Sequence, residues 1–592
     1  MFKRFFVEHW LGFFVAVGLS GLMIFPLILF PHLISNDYEG ITIASHGLDE
    51  LWYLSRGREI IDGNHLGNPL LAEGKDEQDP YFTYVEYAVL LPIRWLGLGT
   101  VSIPMLYAVF NGIGVFGLVL LIYWFVWQVS KNKLLSALSA AMIIGGYAFV
   151  SPSDFFSINV YSRAFSPYVP LLFTFFYYNA LLKTLLFPTW RSTVFAGIFF
   201  GVLFYVYFYA WSFVAVLTTF LLGAYLFKRD WSMARKIAVL FSTGIVLGAY
   251  SWIPLVQNFF SRSGEQLRYF HWIEYHHKPF WSVALVIATI ILVLFFRREK
   301  NTAILSLFLS FIMASWVTMN QQVITGIVLQ SGHYYSHFIV PIIIIIVLYG
   351  LWPWLSSTRI YRMVVLFFLL VIFSNTAIGQ YRAAKTNLVT KQYWQKYRPI
   401  IDQLNKDKKP GVILAADTMD QFLFTIYTPH DLFWARGFVL ANIPLERIHH
   451  ALFVYMYLNK DARTDFANYI RTVMNTPTMI ATYGHNPTWF YGGIYKAIEG
   501  YASGLEYFDY ENQIAANQTS DVIKGKREEI LFALTKEYKT IVDSPGGIAS
   551  LLKKYGVRYL VWDQHKNPEW DLSFLPNKTI ITENSGIILY AL

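Results

Sequence analysis

The sequence predicts a polytopic α-helical membrane protein with about eleven transmembrane helices, followed by a C-terminal extracytoplasmic α/β domain. Hydrophobic residues make up 55% of the 592 residues and charged residues only 14%, whereas soluble proteins carry roughly 25% charged residues. Residues 1–380 contain the apolar runs, each near the ~20 residues that cross a bilayer. From residue 381 onward, Lys, Asp, Asn and Glu become frequent and the apolar runs shorten.

The predicted spans can be placed by the lengths of the apolar runs. The first covers about residues 10–33 and is followed by a polar loop, 34–97. The others lie near residues 99–128, 134–150, 166–187, 193–208, 211–227, 236–256, 280–296, 301–317, 338–355 and 360–378. Because the apolar stretch 193–227 is too long for one crossing of roughly 30 Å, we divide it at Tyr209–Ala210.

The basic residues between spans give the orientation. With about eleven spans, the short basic loops all fall on one side, which the positive-inside rule places in the cytoplasm. These loops contain Lys131, Lys133, Arg191, Lys228, Arg229, Arg235, Lys236, Arg297, Arg298, Lys300, Arg359 and Arg362. We therefore expect a multi-pass protein of the cytoplasmic membrane with its N-terminus inside. Residues 1–380 form the membrane domain, its outer loop 34–97 lies outside, and so does the domain 381–592.

The C-terminal part has the pattern of a mixed α/β domain. Residues 411–415 and 557–562 are apolar runs of strand length, each preceded by a Lys-rich helical stretch. The chain has no cysteine, which excludes disulfides and thiolate metal sites. Its net charge is +9, and the basic residues are scattered beside the spans. This is the pattern that orients membrane proteins, and it does not indicate nucleic-acid binding. Neither a Gly-rich phosphate loop nor a Gly-x-Ser-x-Gly motif is present.

The first outer loop contains an acidic pair, Asp49 and Glu50, soon after the first span. Carboxylates near lipid are costly and mark functional positions. Helical spacing places Asp49, Tyr53 and Arg56 on one face of a short surface helix, and Gly63 suits its C-terminal cap. The alternative is that the two acids only favour the start of this helix through its dipole.

Further candidates for binding lie in three outer loops. Lys75 belongs to a cluster of charged residues that is either a solvated surface or a source of one phosphate-binding cation. Asp154 and Arg163 are either a structural ion pair or a second acid with a phosphate-binding guanidinium.

The loop before the tenth span contains Gln330, His333 and His337. The two histidines are four residues apart and are predicted to share a helix face, as hydrogen-bond donors to a polar head group or as residues of the helix end. Their spacing also occurs in zinc sites, but no His-Glu-x-x-His motif accompanies it. We therefore predict no metal ligands among these residues.

Taken together, these features resemble the GT-C superfamily of membrane glycosyltransferases. The resemblance rests on the first span and long outer loop, on Asp49-Glu50 with Tyr53 and Arg56, on about eleven spans and on an outer C-terminal domain. The acidic pair is similar to that of protein O-mannosyltransferases and lipid A aminoarabinose transferases. The stretch with Glu39-Gly-Ile41, Gly63 and Asn68-Pro69 also resembles uncharacterised prokaryotic members. The Trp-Trp-Asp-Tyr-Gly signature of oligosaccharyltransferases is missing, which disfavours transfer of a whole oligosaccharide to Asn.

The resemblance implies a glycosyltransferase that moves a sugar from a polyprenyl-phosphate carrier to a glycan, lipid or protein acceptor on the outer face. It also implies an inverting displacement, with Asp49 as general base and Glu50 in support. Independently, such a transfer needs a base for the acceptor hydroxyl and cations for the departing phosphate, for which Arg163 and Arg56 are the candidates. The sequence leaves open whether the protein requires a divalent metal (Mg or Mn). The alternatives are a transporter or flippase of lipid-linked sugars and an envelope-assembly membrane protein.

Overall fold

The structure is a computed structural model, and it describes most of the chain. The described residues are 7–43, 48–75, 83–97, 101–146, 159–260, 274–275, 277–295, 299–386, 388–407, 409–416, 419–435, 443–475, 498, 521–575 and 577–592. Helices dominate as far as residue 404, and a five-stranded sheet follows.

The first 386 residues contain long apolar helices and shorter connecting ones. In chain order they are α1 (Trp10–Ile34), α2 (Leu48–Asp62), α3 (Val85–Trp95), α4 (Ile103–Ser130), α5 (Lys133–Ile144), α6 (Tyr168–Leu186), α7 (Trp190–Leu203), α8 (Phe208–Phe227), α9 (Trp231–Leu247), α10 (Ala249–Phe259), α11 (Val283–Phe295), α12 (Thr302–Met319), α13 (Gln322–Thr325), α14 (Ser331–His333), α15 (Val340–Ser356) and α16 (Tyr361–Thr386). A π-helix, Tyr334–Ile339, joins α14 to α15. Two short strands, β1 (Glu274–Tyr275) and β2 (Ile327–Val328), pair antiparallel.

Seven helical segments in the described ranges are long and apolar enough to cross a membrane. They are α1, α4, α6, α8, α12 with α13, α14 to α15, and α16. The pair α9 and α10, bent by 64°, makes an eighth if it is one span, and α5, α7 and α11 are shorter apolar helices. Every predicted span corresponds to one of these segments. A multi-span helical membrane protein is confirmed, whereas the number eleven is not, because three of the helices are short.

The position of one predicted break differs slightly from the structure. The helix α7 ends at Leu203 and α8 begins at Phe208, so the chain turns over residues 204–207 rather than at Tyr209–Ala210. The helices that follow the predicted cytoplasmic turns begin with side-chain caps. Asn132 accepts hydrogen bonds from the first turn of α5, and Asp230 and Asn301 do the same for α9 and α12. Such caps satisfy amide groups that the helix itself leaves without a partner.

Small residues allow close packing inside the helical bundle. A Cβ atom added to Gly201 of α7 would lie 2.6 Å from the Cβ atom of Leu247 in α9, and one added to Gly197 would lie 2.9 Å from the carbonyl oxygen of Leu240. Helices in membranes associate through such small-residue contacts because lipid provides no hydrophobic drive. The α7–α9 pair therefore depends on glycine at these positions.

The C-terminal residues form helices around a mixed sheet. The helices are α17 (Leu388–Gln395), α18 (Arg398–Leu404), α19 (Phe422–Tyr427), α20 (Leu445–Leu458), α21 (Lys460–Thr464), α22 (Phe466–Asn475), α23 (Asp521–Val542) and α24 (Gly547–Lys554). The strands are β3 (Val412–Leu414), β4 (Asp431–Leu432), β5 (Val557–Asp563), β6 (Thr579–Asn584) and β7 (Ile587–Ala591), in the order β4-β3-β5-β7-β6. β3 is parallel to β4 and β5, while β7 is antiparallel to β5 and β6. Both stretches predicted to be strands are strands.

Described residues of the predicted outer loop 34–97 pack against this C-terminal part. One buried cluster combines residues of α2, such as Leu51 and Leu54, with residues of the sheet and its helices. The amide of Leu432 in β4 donates to the carbonyl oxygen of Leu70 at 2.7 Å, and Leu71 forms a parallel bridge with Leu432. The C-terminal residues therefore pack against the helix that carries the acidic pair.

Candidate active site

The acidic pair occupies the first turn of α2. This helix forms because Leu51, Leu54 and other apolar residues recur at helical spacing and are buried. It ends at Gly63, which has φ +97°, a conformation that favours glycine, and whose amide donates to the carbonyl oxygens of Glu59 and Ile60. The predicted helix and its cap are both present.

Asp49 forms an ion pair with Arg163. The Nη2 atom of Arg163 lies 2.6 Å from Oδ2 of Asp49. The side chain of Asp49 is 46% exposed and that of Arg163 is 24% exposed, so solvent and ligands can reach both. The alternative partner for Arg163, Asp154, lies outside the described residues. A carboxylate and a guanidinium thus meet where α2 contacts the segment that precedes α6.

Glu50 points the other way, into the protein. It is buried, and its Oε2 atom accepts a hydrogen bond from the backbone amide of Ala164 at 2.7 Å. Burial raises the pKa of Glu50 to about 7, an effect that the Ala164 amide and the Arg163 charge partly oppose. The two neighbouring acids therefore lie in different environments, with Asp49 paired near solvent and Glu50 desolvated.

Tyr53 follows on the same face of α2, one turn after Asp49. Its ring lies against Phe165, with the ring centroids 5.0 Å apart. Burial raises the pKa of the Tyr53 phenol above its ordinary value, and the nearby charge of Asp49 adds to this effect. Tyr53 is consequently a neutral hydroxyl and an aromatic wall beside the ion pair.

A second wall comes from the segment before α15. His333 and His337 stack with their ring centroids 5.4 Å apart and their planes 8° apart, as their spacing predicted. The Tyr207 hydroxyl lies 2.5 Å from Nδ1 of His333, and the Ser166 hydroxyl lies 3.0 Å from Nε2 of His337. Ser166 lies three residues after Arg163 in the chain, so its contact with His337 links this wall to the segment that carries the ion pair.

Gln330 lies at the start of the same segment in a left-handed conformation, with φ 38°. Its Oε1 atom accepts a hydrogen bond from the Tyr209 hydroxyl at 3.0 Å, and the ring of Tyr209 lies 4.9 Å from that of His333. The π-helix Tyr334–Ile339 begins directly after His333, and such insertions are frequent at functional sites. Tyr207 and Tyr209 escaped sequence analysis because tyrosines are abundant in this chain, which has 40 of them.

Arg56 and Lys75 are placed in ion networks of their own. Arg56 is buried and donates from Nε and Nη2 to both carboxylate oxygens of Glu86, at 2.9 and 2.8 Å, and from Nη2 to Thr83. Lys75 lies 2.7 Å from Glu59 and 2.7 Å from Asp431. The three predicted phosphate-binding cations are Arg56, Lys75 and Arg163. Of these, Arg163 is the one that contacts Asp49 in the described residues.

The described ranges contain no group of three or more His, Asp or Glu side chains placed to hold a metal ion. The hydroxyl, imidazole and amide groups of Tyr207, Tyr209, His333 and Gln330 suit hydrogen bonding to a hydroxylated ligand.

Comparison with known proteins gives a structural similarity but no sequence match. No protein-family model matches the chain, and no curated protein matches it. Among solved structures, the chain is similar to the crystal structure of ArnT from Cupriavidus metallidurans bound to undecaprenyl phosphate. The TM-score is 0.48 and the sequence identity 10%, over 97% of this chain and 98% of that chain.

Proposed function

We propose that this protein is a glycosyltransferase that moves a sugar from a polyprenyl-phosphate carrier to an acceptor on the outer face of the membrane. The observation that carries the proposal is the 2.6 Å pair between Asp49 and Arg163, whose side chains are 46% and 24% exposed. One partner is a base that can take a proton, and the other is a cation that can hold a phosphate.

The proposed reaction is a single inverting displacement. The acceptor hydroxyl oxygen attacks the anomeric carbon while its proton passes to Asp49. The bond between the anomeric carbon and the phosphate oxygen breaks, and its electron pair leaves with the polyprenyl phosphate. Arg163 stabilises the negative charge on the departing phosphate, where a positioned cation contributes most. Glu50 supports the acid helix, α2 (Leu48–Asp62), through its bond to the Ala164 amide.

The aromatic and imidazole wall is the proposed site for the sugar. Tyr207, Tyr209 and His333 offer ring faces and hydroxyl groups on one side of the ion pair, and Gln330 adds an amide. Such groups bind hydroxylated ligands by hydrogen bonds and by packing against the sugar ring. In this arrangement the sugar lies between the wall and Asp49.

The orientation of the protein is part of the proposal. The basic turns, among them those with Lys131 and Arg229, would face the cytoplasm and place the acid helix and the C-terminal residues outside. The long prenyl chain of the donor would stay in the bilayer while its phosphate reaches Arg163. The acceptor would approach from the outer aqueous side, which the partial exposure of Asp49 allows.

A transporter of lipid-linked sugars is the second candidate function. The bent pair α9 and α10, with an angle of 64°, is the observation that favours it, because transporters use interrupted helices. Transporters of this kind generally pair such helices in two related halves. A transporter moves its substrate intact, whereas the proposed enzyme releases the carrier.

The decisive experiment uses the purified protein in vesicles that contain a radiolabelled polyprenyl-phosphate sugar and a mixture of membrane lipids and glycans as acceptors. We expect release of free polyprenyl phosphate together with label in a new product, and loss of both with Asp49→Asn. Movement of intact donor across the vesicle membrane without carrier release would refute the enzyme and support the transporter.

A further inference from the structure

The segment that carries Arg163 is held by an amide from inside the bundle. Asn111 belongs to the membrane-spanning helix α4 and donates from Nδ2 to the carbonyl oxygens of Tyr161 and Arg163, at 2.7 and 3.0 Å. Only 3% of Asn111 is exposed. A polar side chain buried in a span is costly and marks a role beyond packing.

A second amide from another span holds the other end of the same segment. Gln380 belongs to α16 and is 1% exposed. Its Oε1 atom accepts from the amide of Asn159 at 2.9 Å, and its Nε2 atom donates to the Ser162 hydroxyl at 2.5 Å. The same Nε2 atom donates to the carbonyl oxygen of Leu22 in α1 at 3.0 Å. The two amides thus fix residues 159–163 to three spans.

This segment is where the bundle meets the acid helix. Arg163 contacts Asp49, and the next residue, Ala164, contacts Glu50. Asn111 also lines the small cavity that borders Glu50, and within the described residues its Oδ1 atom is buried without a hydrogen-bond partner. A shift of the segment would therefore change the distance between the guanidinium and both acids at once.

We propose that Asn111 and Gln380 are positioning residues, which set the place of the Arg163 guanidinium and thereby the affinity for the carrier phosphate. This inference rests on the proposed function, because it assigns Arg163 to the phosphate. The two amides hold the backbone of the segment, and the side chain of Arg163 makes the contact. Displacement of a binding group by about 1 Å is enough to lower the rate of an enzyme by roughly 100-fold.

The test measures binding of farnesyl phosphate, which contains the phosphate and a short prenyl chain but no sugar, to the full-length protein in nanodiscs. Asn111→Leu keeps the size of the side chain and removes both donated bonds, and Gln380→Met does the same at the other end. We expect each to weaken binding about ten-fold, because the guanidinium that this segment carries is no longer held in place. The second variant keeps the test valid if the first does not fold.

The chain offers a matched control on the same helix. Gln128 of α4 donates from Nε2 to Oδ1 of Asn179 in α6 at 2.7 Å, far along the helix from Arg163. Gln128→Met should lower the midpoint of thermal unfolding as Asn111→Leu does, yet leave farnesyl phosphate binding unchanged. If Asn111→Leu and Gln380→Met lose stability but bind like the unmodified protein, the two amides are only packing bonds and the inference is overturned.

A double-mutant cycle tests whether the amides act through Arg163. In an Arg163→Ala background, Asn111→Leu should cause no further loss of affinity, because the group that it positions is gone. An equal ten-fold loss in both backgrounds would overturn the inference while leaving the proposed function intact. Absence of farnesyl phosphate binding by the unmodified protein would instead refute the proposed function, and this inference with it.

Discussion

Glu59 of the acid helix and Asp431 of β4 share the ammonium group of Lys75, which lies 2.7 Å from an oxygen atom of each. All three side chains are largely buried. Two carboxylates and one lysine leave an excess negative charge in a desolvated place, which favours the protonated form of an acid. The acid helix and the C-terminal sheet are thus joined by an ion network that titrates.

This network predicts a pH-dependent stability. Burial raises the pKa of Glu59 from 4.5 to about 7, with Lys75 opposing the effect and Asp431 adding to it. Between these values the folded protein keeps a proton that the unfolded chain has lost, so the free energy of unfolding falls as the pH rises. Glu59→Gln should make the midpoint of thermal unfolding less sensitive to pH in this window. The same slope in both proteins would contradict the assignment.

Asp49→Asn tests the general base. The substitution keeps the size of the side chain and removes the basic carboxylate, so transfer at saturating donor should fall about 10²–10⁴-fold. Binding of farnesyl phosphate should survive, because Asn is as good as Asp at the start of a helix. Glu50→Gln should cost less, since we assign Glu50 a supporting role.

The control for this prediction lies on the same helix. Asp62 is the last residue of α2 and pairs with Arg58 at 2.8 Å, one turn away. Asp62→Asn should retain the transfer rate of the unmodified protein. Full activity of the Asp49→Asn protein would show that Asp49 only favours the start of α2.

Arg163→Ala tests the phosphate contact. We expect weaker farnesyl phosphate binding and a higher KM for the donor, because a charge-assisted bond is lost. Arg163→Lys should restore part of the affinity, since a lysine keeps the charge without the planar fork. Arg558 pairs with Asp407 at 2.7 Å on the surface of the C-terminal sheet, and Arg558→Ala serves as the control. Equal effects of both alanine variants would remove Arg163 from the site.

The orientation can be measured directly because the chain contains no cysteine. Single cysteines at the exposed positions Lys131 and Arg229 should react with a membrane-impermeant maleimide only after the cytoplasmic side is opened. Cysteines at the exposed positions Lys539 and Lys553 should react in intact cells. Protection of Lys539 and Lys553 in intact cells would place the C-terminal residues inside and contradict the proposed mechanism.

The sequence predicted the helical spans and the two central strands because both depend on local apolar patterns. The acid helix with its Gly63 cap was also predictable, since spacing and a turn residue define it. The ionic partners of these side chains were not predictable from the sequence. Arg56 was expected near a phosphate and is instead buried against Glu86, 30 residues later. Which charges meet depends on how the loops pack, and spacing along one helix contains no information about that.

The amides inside the spans show a signal that sequence analysis could have used. Asn111 interrupts an apolar run and Gln380 lies just after the predicted span 360–378, and polar residues in spans mark functional positions. The sequence alone cannot show that both contact one segment, because they are brought together only by the packing of α1, α4 and α16. Tyr207 and His333 likewise meet across 126 positions of the chain.

The contact between the hydroxyl groups of Ser55 and Thr425, 2.8 Å apart, joins positions separated by 370 residues. A ribosome that adds about 5–20 residues per second completes the chain between them in roughly 20–70 seconds. During that time the acid helix has been made but its supporting surface has not. The acid helix can therefore acquire its final surroundings only after Thr425 has been made, and a chain that is released earlier lacks the surface that supports this helix.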